Sequence, residues 1–271
     1  GVADPGWVVK IVAPVGISFF TFQILTYLLD VYREKSEATT RFWDFALYVS
    51  FFPHIMAGPI ARQDRLQPQF EEPRPWLDQD TFRSGLYLVM TGLFRKVVVA
   101  DNLAVIANHV YDRPPGEITF PEFAVGTYAF AFQVYGDFSG YSCIAQGVAK
   151  WLGIDLMANF RNPYLAENPS DFWRRWHISL SSALRDYIFI PLSFANPSLL
   201  VTCRNMLLVM TLAGLWHGAN WTYVAWGAFH GAWLCWEAIS RARAGGSPAP
   251  ATGWRRTGRI LITFHLVCLS Y

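Results

Sequence analysis

GLWHGANWTYVAWGAFHG, residues Gly214 to Gly231, holds no charged side chain and carries the pattern G-x-x-H-G twice, thirteen residues apart. The G-x-x-x-G spacing lets two helix backbones approach closely, a packing device of helices in membranes. A histidine in such surroundings is either a satisfied polar group or a reagent, because polar groups at membrane depth are costly. His217 and His230 therefore raise two questions, about the solvent this chain folds in and about which of them reacts.

Working outward, the composition supports the membrane reading without forcing it. The 271 residues are 53% hydrophobic and 17% aromatic, with 15% charged against about 25% in an ordinary soluble domain. A chain of this length could also bury a soluble core, so the distribution of apolar residues decides. Lys10–Tyr32, Phe120–Leu152 and Trp221–Ser240 are nearly free of charge, and about 20 apolar residues span a bilayer. Twelve tryptophans and twelve tyrosines suit anchoring at the membrane–water interface. A net charge of +2 with no concentrated basic arm gives no sign of nucleic acid as a partner. Cys143, Cys203, Cys235 and Cys268 stand singly in apolar segments, without metal-ligand spacing.

The expected fold class is all-α, a polytopic membrane protein forming one membrane-embedded unit over residues 1–271. A first span is expected from about Val8 to Asp30. Phe42–Ile60 is apolar but interrupted by Pro53, Gly58 and Pro59, so it reads as kinked or re-entrant. A helical stretch comes after the loop from Arg62 to Asp80 and is interrupted at Arg95-Lys96. Phe120–Leu152 is too long for one straight span, and Gly136 and Gly140 predict a break in its middle. The closing run LITFHLVCLSY is too short to span, which predicts a piece of a longer protein. Arg241–Arg259 holds five arginines and no acid, and this bias places it in the cytoplasm.

Three constellations are candidates for chemistry. His217 lies thirteen residues after Arg204, about 20 Å along a helix, beyond the middle of a hydrocarbon core of about 30 Å. SDFWRRWHISLSSALRDYIFIPL (Ser170–Leu192) is read as one helix capped by Ser170 or Asp171. On that helix Arg174, His177, Ser181 and Arg185 fall on one stripe, with Trp173, Trp176, Leu180 and Leu184 on the adjoining apolar face. Such a stripe suits a wet, anion-friendly tunnel, whose arginines could hold donor phosphates. In YGDFSGYS (Tyr135–Ser142), Asp137 could be a hydrogen-bonder at a helix break, a cation site, or a group orienting a histidine. A histidine base without a metal cluster or nucleophile motif suits transfer of an acyl group from a thioester to a hydroxyl.

FWRRWHISLSSALRDYIFIPL followed by GLWHGANWTYVAWGAFHG resembles the membrane-bound O-acyltransferase superfamily, most nearly its bacterial alginate O-acetyltransferase branch. That branch lies near the D-alanyl transfer protein of teichoic acid modification. PVGISFFTFQILTYLLDVYR (Pro14–Arg33), FFPHIMAGPIAR (Phe51–Arg62), YGDFSGYSCIAQGVAKWLGI (Tyr135–Ile154) and NFRNPYLAENPSDFWRRWH (Asn159–His177) fit in the same order. The resemblance implies a ring of transmembrane and re-entrant helices around a central tunnel, in the bacterial inner membrane, with further spans at both ends. It implies His217 as catalytic base and His177 as the second site histidine, beside Arg174, Arg185, Ser181, Trp176 and Asp137 as donor- or substrate-binding candidates. No bound cofactor or metal is implied. The donor would be acetyl-CoA or another acyl thioester arriving from the cytoplasm. The acceptor would be a polysaccharide, or a periplasmic acetyl-transfer partner protein, on the other side. One departure is SFANPSLLVT after YIFIPL, where the branch commonly has a Gly-rich basic loop that bears on docking.

Overall fold

A computed structural model describes residues 16–74, 77–194, 198–246 and 251–271. Among them the secondary structure is entirely helical. In chain order the helices are α1 (Ile17–Tyr32), α2 (Phe42–Ser50), α3 (Gln63–Glu71), α4 (Gln79–Leu93), α5 (Asp101–Tyr111) and α6 (Phe120–Trp151). They are succeeded by α7 (Pro169–Trp173), α8 (Ile178–Leu184), α9 (Ile190–Ser193), α10 (Leu199–His217), α11 (Trp221–Arg243) and α12 (Gly253–Cys268). Widened π-helical turns join α4 to α5 at Phe94–Ala100 and α8 to α9 at Arg185–Phe189. The expected start of the first span, from Val8, lies outside the described residues up to Gly16.

Helix starts obey local chemistry. Asp78 accepts from the Thr81 N–H at the start of α4, and Asn220 accepts from the Thr222 N–H at the start of α11. Thr119 and Glu122 satisfy each other's neighbouring N–H groups at the start of α6, with Pro121 in its first turn.

The glycines set how closely the helices pack. A Cβ on Gly227 would lie 2.3 Å from the Met210 carbonyl oxygen, and one on Gly231 would lie 2.9 Å from Leu207 Cα. These contacts align α10 and α11 as a tight antiparallel hairpin. Gly85 against Gly147, and Gly92 against Gly140, do the same for α4 and α6. This corrects the predicted break in Phe120–Leu152. Gly136 and Gly140 sit inside an unbroken helix of 32 residues, and their missing side chains admit the backbone of Arg95 and Gly92. At about 1.5 Å per residue α6 is about 48 Å long, more than a bilayer's hydrocarbon core.

The Ser170–Leu192 helix is also corrected. It is two helical stretches, α7 and the run α8–α9 joined through its π-turn, because the chain turns through Arg174–His177 and His177 adopts a left-handed backbone, φ 44° and ψ 54°. Phe42–Ile60 matches its kinked reading, since α2 stops at Ser50 and the chain turns through Phe52–Gly58.

Two apolar clusters hold the α7–α8 turn in place. Phe172 and Trp176 pack with Val267 of α12, while Leu180 and Leu184 pack with Val209 and Ala213 of α10. Beyond them, Tyr187 donates to the buried Asp30 carboxylate, and Arg62 pairs with Asp186 at 2.6 Å. Large apolar side chains such as Val97, Val105, Leu200, Leu208 and Leu212 remain exposed on the outer helix faces. Among the described residues, α10 is the one helix long and apolar enough to cross a membrane.

Candidate active site

Two histidines from separate segments meet at one cavity of about 860 Å³, lined by residues of α1, α6, α10, α11 and the α7–α8 turn. His217 is the last residue of α10, where Gly218 ends the helix and a three-residue turn leads into α11. Its ring is exposed and hydrogen-bonds to no described residue. Aromatic rings fix its place, with Trp226 edge-on at 5.4 Å and Tyr223 stacked at 6.3 Å.

His177 enters from the α7–α8 turn and is only 1% exposed. A left-handed backbone at a residue with a Cβ is uncommon and costs about 1–3 kcal/mol, so the packing of α7 and α8 must over-determine it. The consequence is that the imidazole is turned into the protein, away from the direction a continuous helix would give it. Nδ1 lies 3.3 Å from Asn159 Oδ1, and the Phe138 ring stands perpendicular to the imidazole with ring centroids 4.6 Å apart. Trp216 stands between the histidines, with ring centroids 6.1 Å from His177 and 5.1 Å from His217.

The other sequence candidates divide. Trp176 and Asp137 line the same cavity. Asp137 neither breaks a helix nor hydrogen-bonds a histidine. Its carboxylate pairs at 2.7 Å with Lys96, which also holds Asp101 at 2.6 Å. Arg174, Ser181 and Arg185 do not line the cavity. Arg174 is 64% exposed beside Asp171, Arg185 is 59% exposed beside Asp186, and Ser181 donates to the Trp176 carbonyl. The turn at Arg174–His177 separates residues that a helical wheel had grouped.

Sequence reasoning passed over Lys96, Trp226, Asn159 and Ser179. Lys96 was visible as a cation interrupting an apolar run. Asn159 and Ser179 gave no signal beyond polarity, because their importance lies in long-range contacts.

His230, the histidine of the second G-x-x-H-G copy, is buried away from the cavity lining. It meets Ser270 Oγ at 3.1 Å and packs among Phe172, Trp173 and Trp226. Trp226 thus separates the two repeat histidines.

A pocket walled by aromatic rings, with two imidazoles and one ion pair, suits proton transfer on a substrate held in an apolar environment. The class this defines is a family of membrane acyltransferases: the chain belongs to the membrane-bound O-acyltransferase family, which it matches over residues 13–261. It is therefore a membrane protein. Among its relatives, it is 42% identical over 268 residues to a probable alginate O-acetylase, AlgI, of Azotobacter vinelandii, covering 99% of this chain and 52% of the relative. It is 38% identical over 246 residues to a peptidoglycan O-acetyltransferase of Helicobacter pylori, covering 82% and 46%. A teichoic acid D-alanyltransferase of Streptococcus thermophilus is 29% identical over 287 residues, covering 94% and 66%. The chain spans about half the length of the alginate and peptidoglycan relatives it matches.

Proposed function

We propose that this chain forms the core of an inner-membrane O-acyltransferase. It moves an acetyl group from a cytoplasmic thioester such as acetyl-CoA towards a hydroxyl of an exported, alginate-like polysaccharide, directly or through a periplasmic partner protein. The observation that carries the reading is the convergence of His177 and His217 on one cavity from segments forty residues apart. The acetyl relatives match at higher identity than the D-alanyl relative, which favours acetyl as the group moved.

In this mechanism His217 takes the proton of the acceptor hydroxyl as its oxygen attacks the thioester carbonyl. The C–O bond forms, the C–S bond breaks, and the proton passes from His217 to the departing thiolate. His217 suits the base role because it is the exposed, uncommitted imidazole. His177 orients a reacting group. Trp176 and Asp137 contribute to the substrate-facing wall. Arg174, Arg185 and Ser181 belong to the proposal as a polar surface outside the cavity, where the arginines would bind donor phosphates by exchanging their present carboxylate partners.

We place the chain as a multi-pass ring with the arginine-rich segment Arg241–Arg259 in the cytoplasm. The exposed apolar faces of α4, α5 and α10 support contact with lipid. A general base contributes about 10²–10⁴-fold to a rate. His217→Ala in the detergent-solubilised full protein should lower acetyl transfer by that factor while the melting transition stays in place. Undiminished transfer would remove His217 as the base, and polymer acetylation surviving loss of both histidines would favour a non-catalytic conduit.

A further inference from the structure

The two nitrogens of His177 have opposite surroundings. Nδ1 lies 3.3 Å from Asn159 Oδ1 and 3.5 Å from Ser179 Oγ, whereas Nε2 is buried without a hydrogen-bond partner among the described residues. The polarity on the Nδ1 side follows from the hydrogen bonds its two neighbours already make, the shorter one taking the Ser179 hydroxyl proton. The Ser179 backbone N–H is 3.2 Å from the Asn159 side chain, so the atom facing it must be the amide oxygen. The Ser179 hydroxyl accepts from the Ile60 N–H at 3.0 Å, and its own proton goes to Asn159 Oδ1, also at 3.0 Å. Towards Nδ1, both neighbours are therefore acceptors. A ring nitrogen facing only acceptors carries the proton, and a neutral imidazole then has its lone pair on Nε2.

Asn159 is built to hold this arrangement. It is 1% exposed, and its backbone carbonyl accepts from the Ile178 N–H at 2.9 Å, so one residue grips the chain on the C-terminal side of His177 and the ring itself. With Nδ1 turned to Asn159, Nε2 is the nitrogen that remains for the cavity that the residue lines. A buried acceptor without a partner weakens a fold, which is a reason to look for a ligand that supplies the missing donor.

We propose that Asn159 is a positioning residue that locks His177 as the Nδ1–H tautomer, reserving its Nε2 lone pair for the hydroxyl of the acyl acceptor. The inference rests on the acyl-transfer reading and deepens it. His177 accepts a hydrogen bond from the acceptor and aims its oxygen, while His217 removes the proton.

The test uses the full protein in detergent with 15N-labelled histidine, the His177 signals being assigned by their loss in His177→Ala. In the resting wild type, Nδ1 should give a protonated, pyrrole-type signal and Nε2 an unprotonated, pyridine-type signal. Asn159→Leu, which removes the acceptor at similar volume, should produce an Nε2–H population. It should also lower kcat/KM for the acceptor at least tenfold while leaving KM for the thioester unchanged. Asn159→Asp, which restores an oxygen, should recover most of that loss. A protonated Nε2 in the wild type overturns the proposal, and this readout needs no Asn159 variant to fold. So does an Asn159→Leu protein whose acceptor kcat/KM stays within twofold. If the wild type moves no acyl group, the function and the acceptor assignment fall together, whereas a wrong tautomer with intact transfer overturns only the role of Asn159.

Discussion

His217 and His230 sit in the same local pattern and reach opposite fates because the chain continues differently after each. Gly218 ends α10 directly after His217, which exposes the ring at a helix terminus, whereas His230 lies within α11 and is covered from both sides. With 1% exposure and ring contacts to Phe172, Trp173 and Trp226, His230 is a packing residue that finds its polar partner in Ser270. His230→Ala should therefore lower stability by about 2–4 kcal/mol, as deletion of a buried ring does. Acetyl transfer should stay within about tenfold of wild type, measured on the same preparation as the melting curve. A loss as deep as that of His217→Ala would move the chemistry to the second copy.

At the scale of elements, close approach and capping make separable predictions. A Cβ on Gly227 would sit 2.3 Å from a backbone oxygen that cannot rotate away, so Gly227→Ala must splay α10 from α11. The expected cost is about 1–3 kcal/mol. Gly258, on α12, has no atom within 4 Å of a built Cβ. Gly258→Ala should raise stability by about 0.5–1 kcal/mol, and differential melting of the pair checks both signs.

Glu122 makes the start of α6 sensitive to acid. Its hydrogen bonds with Thr119 and its pairing with Arg113 hold its carboxyl down from the ordinary 4.5 to about 2. A carboxyl lowered on folding contributes stability above pH 4.5 that is lost as pH falls towards 2. Glu122→Gln should flatten the fall of melting temperature across that window, and an unchanged slope would dismiss this cap as its source.

For the whole molecule, the helical class and the close helix packing at the two G-x-x-H-G copies were legible in the residues themselves, whereas the pairing of His177 with His217 came only from the family resemblance. Glycine spacing and an apolar setting are local signals, and local signals survive folding. The Arg174–Ser181–Arg185 stripe was not legible correctly, because periodicity assumes one continuous helix. A single residue at φ 44° is enough to reorient everything after it. The same limit produced the expected break in α6, where glycines that look like weak points are sites of contact with α4. Asn159 escaped because its partner is eighteen residues away along a folded turn.

Placement in the bilayer is a property of the entire chain. If the arginine-rich segment faces the cytoplasm, a thiol introduced by Ala251→Cys should resist a membrane-impermeant maleimide in intact cells and react after permeabilisation. Labelling in intact cells would invert the topology, and with it the side from which the donor arrives.

Mass spectrometry of surface polysaccharide tests the central claim most directly, in cells whose acetylation depends on this protein. The claim predicts O-acetyl groups with the wild type, and their loss with His217→Ala at equal membrane abundance. Acetylation that persists in the His217→Ala cells, or a D-alanyl group in place of acetyl, would contradict it.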